Sequence, residues 1–401
     1  MAHVIEKNQT ADMCSGCGVC AAVCSKKCLN IIENEYGELR PEFRSDNCIN
    51  CGKCLSLCPF GSKQKPYDST SGTCYIGYSE QFINAGSSGG AATWFLSSLL
   101  ENKVVDAVVC VEQYNSSNGM FGYSICRTDA DLLKCQGSAY YPVTMEGVLN
   151  KIHSETGTFA IVGVPCFISA LRNLKNSSKE WDKKISVLVG LVCGHVPSKM
   201  MTDALIWSQG YSRKDVIAVR FRIHNEDRPA WDYGVKLSFS DGNEYCSYGS
   251  EDFGFLFWRR LFSQNCCNHC SDVFADAADI TFMDAWLPEY KELHRGTSMI
   301  VSRNEICDSL LARLVDQGTL EKTDINKAAE AQSGLVAFKT NPNKHQKEIA
   351  LQKQIRNICK KHSGDKRIIE YIRRACYKDK LKANNKLLWA MTEVKDRIKG
   401  I

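Results

Sequence analysis

Eight cysteines near the start of the chain fall into two runs of one pattern, Cys14-x2-Cys17-x2-Cys20-x3-Cys24 and Cys48-x2-Cys51-x2-Cys54-x3-Cys58. Three thiolates spaced two residues apart let one short loop wrap three corners of an iron–sulfur cube, and the fourth corner must be reached from elsewhere. Where two such runs occur together, the last cysteine of each serves the other cube. This assigns Cys14, Cys17, Cys20 and Cys58 to one [4Fe–4S] cluster and Cys48, Cys51, Cys54 and Cys24 to its neighbour. Structural zinc would use two separated ligand pairs around a single tetrahedral ion, which leaves eight crowded cysteines without a role. A disulfide framework belongs to small exported domains, and the polar start Met1 to Thr10 has no apolar core of an export signal. Ser25 stands where a proline usually follows the first run, whereas Pro59 follows the second.

The chain has 401 residues and 22 cysteines, nine of them before Gly61. Its length exceeds the usual ceiling for one hydrophobic core, so two or three domains are expected. Cys28, Cys74, Cys110, Cys126, Cys135, Cys307, Cys359 and Cys376 read as small buried hydrophobes. The net charge of +5 is too small for this length to imply nucleic acid, and the lysine-rich end after Lys344 lacks interleaved stacking aromatics. No stretch approaches the roughly 20 apolar residues of a membrane span. A cytoplasmic protein with thiolate ligands is the expectation.

The second run lies 34 residues after the first, so positions 14–58 read as an internal duplication. Between the runs, Leu29–Ile32 and Leu39–Phe43 flank Asn34-Glu-Tyr-Gly37 as a hairpin. A two-cluster ferredoxin-like unit is expected over 1–66, ending near Lys65-Pro66, with Tyr67 to Thr73 as linker. An α/β domain is expected over 74–340, because short apolar runs alternate with helical ones, and a helical basic region over 341–401. Ala85-Gly-Ser87-Ser88-Gly89-Gly90 precedes an apolar helix from Ala91. Such a start offers free N–H groups and small hydroxyls to a phosphate, and the competing reading is an ordinary serine cap on a buried helix.

Strands are expected at Val104–Val111, Thr158–Val162 and Ile185–Val192. The second stops at Gly163-Val-Pro165-Cys166 and the third at Cys193-Gly-His195, so two strands each deliver a cysteine at the sheet edge where ligands bind. Ile217–Ile223 and Gly234–Ser240, with the turn Asp241-Gly-Asn243, read as further strands and a hairpin, and Ala278–Asp284 as another strand. Cys267 and Cys270 form a C-x2-C pair in a polar loop. With Cys166 and Cys193 that pair makes four thiolates, enough for a third cube, with Cys266 as an alternative to Cys267. His195 and His269 flank these ligands.

In this order of parts the chain resembles the beta subunits of coenzyme F420 hydrogenases and dehydrogenases, from Cys14 to about Lys344. The resemblance is carried by the ferredoxin-like start, Gly86-Ser-Ser-Gly-Gly90, Gln136-Gly137-Ser138, Gly163-Val-Pro165-Cys166, Cys193, Cys267-x2-Cys270 and Ala278-Asp279-Ile280. It implies a third [4Fe–4S] centre on Cys166, Cys193, Cys267 and Cys270, next to FAD. By resemblance FAD is expected at Ser87, Ser88, Gly89, Gly90, Gly137, Ser138, Gly163 and Pro165. The family's Gly-Ser-Lys-Tyr is here Gly137-Ser138-Ala139-Tyr140, and Met283 stands where a glycine is expected, so the substrate does not carry over with the fold. The implied function is an iron–sulfur flavoprotein oxidoreductase that links a one-electron redox protein to a small two-electron substrate. A flavin-free electron carrier is the alternative.

Overall fold

The computed structural model describes residues 13–44, 47–61, 71–84, 86–116, 119–341 and 345–377. The expected boundary at Lys65-Pro66, most of the linker from Tyr67, Ala85, Lys344 and the lysine-rich end beyond residue 377 lie outside them.

The duplication is visible in the N-terminal unit. Gly18 and Gly52, both in the left-handed region, start the short helices Val19–Ala22 and Lys53–Leu57. A Cβ on Gly18 would fall 2.1 Å from the Thr144 hydroxyl, so close docking as well as backbone conformation requires glycine there. β1 (Leu29–Glu33) and β2 (Leu39–Phe43) form the expected antiparallel hairpin, with Leu29 opposite Phe43 and Glu33 opposite Leu39.

The rest of the chain carries β3 (Thr73–Gly77), β4 (Ala107–Ser116), β5 (Gly119–Cys126), β6 (Phe159–Gly163), β7 (Ile185–Leu191), β8 (Val216–Ile223), β9 (Gly234–Phe239), β10 (Glu244–Tyr248), β11 (Ile280–Asp284), β12 (Ser298–Ser302) and β13 (Leu320–Thr323). Among the described residues, eight of these form one mixed sheet in the order β13-β3-β12-β11-β7-β6-β4-β5. The central strands β11, β7, β6 and β4 are parallel. The outer pairings are antiparallel.

The parallel strands are apolar on both faces because helices cover both. One face packs against the helices Ala91–Glu101 and Glu305–Asp316 through Phe95, Leu99 and Leu311. The other packs against Glu146–Ser154 and Pro165–Ser177 through Leu149, Ile152, Ile168 and Leu171. The carboxyl ends of β6 and β7 therefore lie side by side, as the strand pattern predicts.

The segments from Ile217 and Gly234 are strands, as expected, and with β10 they form an antiparallel sheet separate from the large one. The turn at Asp241-Gly242-Asn243 closes β9 on β10 locally, so these strands satisfy one another's backbone groups first. One expectation needs correction: the region after Asn304 is not purely helical, since β13 pairs with β3 at the sheet edge.

The N-terminal unit is stitched to the larger body. Val19 and Leu57 enter the same apolar cluster as Met145 and Phe167. The Met145 N–H donates to the Cys17 carbonyl at 2.8 Å, and the Lys199 N–H to the Gly37 carbonyl at 2.9 Å. From the opposite side the helix His345–Lys361 sends Arg356 to Glu38, which is buried and also held by Arg40. Ile355 and Cys359 of that helix are buried, so this lysine-rich segment is a clamp as well as a solvated face.

Candidate metal centre

Cys24, Cys48, Cys51 and Cys54 line one cavity in the N-terminal unit, with Cys20 and Cys28 at its wall. The Cys28 N–H donates to Cys24 Sγ at 3.3 Å. The second predicted set also converges. Burial pushes the Cys17 thiol up to about 12, and Cys14 and Cys58 lie close enough to add to the rise. Burial likewise raises Cys20, with Cys17, Cys14 and Cys58 contributing. Cys51 is exposed, and beside it Ile49 is 62% exposed.

Cys166, Cys193, Cys267 and Cys270 line a second cavity, although they are scattered along the sequence. Pro165 occupies the first turn of the helix Pro165–Ser177, where its missing N–H costs nothing, and this sets Cys166 just past the end of β6. Cys193 follows the end of β7, and its N–H donates to the Val273 carbonyl at 3.1 Å. Of the C-x2-C pair, expected in a polar loop, Cys267 sits on the short helix Asn265–Asn268, where Cys266 and Asn268 are buried, while Cys270 lies in the loop that follows. The wall of this cavity also includes Ser15 and Phe60, neighbours of Cys14 and Cys58, so it opens onto the predicted site of the first cube.

The chemistry of this donor set fits a metal–sulfur centre. Burial pushes Cys193 up to about 12 and Cys166 well above its ordinary value, so four thiolates cannot coexist there without a cation to displace their protons. Cys267 moves the other way, to about 6, because Cys266 donates to it and the Val196 N–H lies 3.4 Å from its sulfur. Lys339, buried on the helix Ser333–Thr340, places its ammonium 3.6 Å from Cys270 Sγ. His195 lines the cavity with a buried Nε2 that has no hydrogen-bond partner, while His269 is exposed. Nothing in the spacing around Lys339 signals it; only packing of the C-terminal helices brings it here.

The predicted phosphate loop and the Gly137-Ser138 segment come together. Ser138 Oγ donates to Ser87 Oγ at 2.9 Å, His224 Nε2 lies 3.1 Å from the Ser87 carbonyl, and Ser88 Oγ donates to the Thr297 carbonyl at 3.0 Å. Gly89 and Gly90 have a packing reason: added Cβ atoms would lie 2.8 Å from the Gly77 carbonyl oxygen and 2.6 Å from the Phe82 backbone. Gly137 has φ +116° with open space at its Cβ position. Pro165 lines the cysteine cavity instead, and a Cβ on Gly163 would press on Phe167, Ile168 and Met145. Near the loop, Arg222 pairs with Asp284 through bonds of 2.6 and 2.8 Å and lies over the Tyr233 ring. Met283, in place of the expected glycine, is buried in the apolar layer beside Met299.

Comparison with known proteins follows the same division. Residues 13–62 match the 4Fe-4S dicluster domain family. Residues 74–150 match the N-terminal part, and residues 156–328 the C-terminal part, of the coenzyme F420 hydrogenase/dehydrogenase beta subunit. A subunit of the F(420)H(2) dehydrogenase of Methanosarcina mazei is 23% identical over 316 residues, covering 76% of this chain and 83% of that protein. The coenzyme F420-dependent sulfite reductase of Methanocaldococcus jannaschii is 28% identical over 201 residues, 45% of this chain; the match spans only 30% of that reductase. A chain of the F420-reducing [NiFe] hydrogenase complex from Methanosarcina barkeri shares the fold with a TM-score of 0.51 and 18% identity, over 74% of this chain and 95% of that one.

Proposed function

The chain belongs to the family of coenzyme F420 hydrogenase/dehydrogenase beta subunits and is an iron–sulfur oxidoreductase, and from this premise we propose that it links a one-electron redox partner to a two-electron substrate through three [4Fe–4S] clusters and FAD. The single observation that carries the reading is that Ser15 lies within hydrogen-bonding reach of both Cys17 and Cys166. Ser15, next to Cys14, and Phe60, two residues past Cys58, line the cavity of Cys166, Cys193, Cys267 and Cys270. When bound, each cube supplies one-electron steps and FAD a two-electron step.

The protein's own contribution is alignment and insulation. Exposed Cys51 and Ile49 place the cube of Cys24, Cys48, Cys51 and Cys54 where a partner protein can reach it. The helix starts at Gly18 and Gly52 hold the two N-terminal sets side by side, and the strand ends of β6 and β7 hold the third set against them. Ser87, Ser88 and Ser138, with the N–H groups of Gly89 and Gly90, are the proposed diphosphate contacts. No helix among the described residues is long and apolar enough to cross a membrane.

The test is anaerobic purification with iron, sulfide and flavin analysis, expecting about twelve irons and one FAD per chain. Gly89 and Gly90 are poor positions for a test because their backbones are packed tightly. Ser138→Asp, which sets a carboxylate beside Ser87, should remove FAD and leave iron unchanged. Stoichiometric FAD in that variant sinks the phosphate assignment, and a wild-type protein with iron but no flavin makes the chain an electron carrier only.

A further inference from the structure

Three cysteines outside both cavities, and read from sequence as buried hydrophobes, meet at the edge of the large sheet. Cys110 lies on β4, Cys126 ends β5, and Cys135 caps the helix Asp129–Lys134 that folds back from Thr128. The sulfurs of Cys110 and Cys126 are 3.5 Å apart and those of Cys126 and Cys135 3.4 Å apart. All three lie within 4.8 Å of one another.

The register argues against a disulfide between Cys110 and Cys126. Cys110 is opposite Ser124, so Cys126 is its diagonal neighbour. Diagonal pairs are about 7–8 Å apart, beyond the usual Cα separation of a bridged pair. The thiols instead surround a common point. A metal–sulfur bond of about 2.3 Å around a trigonal centre sets sulfurs about 4.0 Å apart, a few tenths of an ångström wider than found. Cys126 lies between the other two, its sulfur within contact of both. No fourth histidine, cysteine or carboxylate of the described residues joins the group. Glu112, two residues along β4 on the same face, has an oxygen taken by Ser124.

We propose that Cys110, Cys126 and Cys135 form a three-coordinate site for a soft monovalent cation of the copper(I) class, separate from the iron–sulfur ligands. Three thiolates without a fourth donor suit such a cation, whereas structural zinc takes four ligands. Binding releases the protons that the three thiols carry as the metal takes their place, and involves no change of oxidation state. The site would sequester the ion and pin the β4–β5 hairpin to the helix above it.

The experiment uses the full chain with its clusters, purified without oxygen. One equivalent of copper(I), supplied as its acetonitrile complex, is challenged with a copper(I)-specific chelator and followed by copper K-edge absorption. Expected are about one retained copper per chain, a first shell of three sulfurs, and unchanged iron and sulfide. Cys126→Ser should lose the copper to the chelator. Cys135→Ser, at the half-buried helix end, is the second variant should Cys126→Ser not fold. Equal copper retention in a folded variant, iron lost in step with copper gained, or four-coordinate zinc held in preference to copper each overturns the proposal.

Discussion

The cavity of Cys24, Cys48, Cys51 and Cys54 is closed by ligands from two short runs, while that of Cys166, Cys193, Cys267 and Cys270 gathers thiols from two strand ends and a short helix. The first set lies in a unit with few buried apolar side chains of its own, and two of these, Val19 and Leu57, pack outward into the larger body. The second set is positioned by a sheet covered on both faces. Where ligands are neighbours in sequence, metal can organise the chain; where they are remote, the chain must already be organised before metal can bind.

Stripping iron should separate the two regions most sharply. Limited proteolysis of protein freed of iron should cut within residues 13–61 while the large sheet stays resistant, and Cys17→Ala should reproduce the cutting. Cys193→Ala should lose about four irons and leave the whole chain resistant. Equal protease resistance in the two variants would remove the distinction.

The clamp from the C-terminal helix tests how far the N-terminal unit depends on its surroundings. Glu38 is 1% exposed and shared by Arg40 and Arg356, so Glu38→Ala leaves two buried guanidinium groups without their carboxylate. The expected cost is about 3 kcal/mol, read from denaturant unfolding of the cluster-loaded protein. A cost under about 1 kcal/mol would mean that the clamp adds no more than an exposed ion pair does.

A smaller effect is expected in the second cavity. The Lys339 ammonium near Cys270 favours the more negative, reduced state of any centre bound there. Lys339→Met should lower the reduction potential of that centre by on the order of 60 mV, a tenfold change for a one-electron couple, and Lys339→Arg should restore it. Redox-titrated spectroscopy decides this, and an unshifted potential would leave Lys339 a packing role only.

The smallest effect concerns acid. Burial tends to raise Glu33, but the Lys199 ammonium and Arg213 outweigh it and hold the carboxyl below its ordinary 4.5. A depressed carboxyl contributes stability that is fully present above the ordinary value and is lost as pH falls through the lower, folded one. Resistance of the β1–β2 hairpin to an acid-active protease should therefore drop below about pH 4.5 in the wild type, while Glu33→Gln shows no such step and meets the wild-type curve in acid. Parallel curves would assign the step to another group.

The two cysteine runs, the hairpin between them and the parallel strands ending at Cys166 and Cys193 were legible from residue order, because each rests on spacing or period within a few neighbouring residues. The separate sheet of β8 to β10 was not, since an antiparallel hairpin reads the same wherever it pairs. The grouping of Cys267 and Cys270 with the strand ends came from counting thiols and from family resemblance, and tertiary structure alone set Lys339 beside them, turned the helix His345–Lys361 into a clamp on Glu38 and grouped Cys110 with Cys126 and Cys135. Local chemistry such as a ligand run or a capped helix start is written in adjacent residues. Which remote side chains share a cavity depends on how strands register and helices pack, and the chain order carries no record of that until it folds.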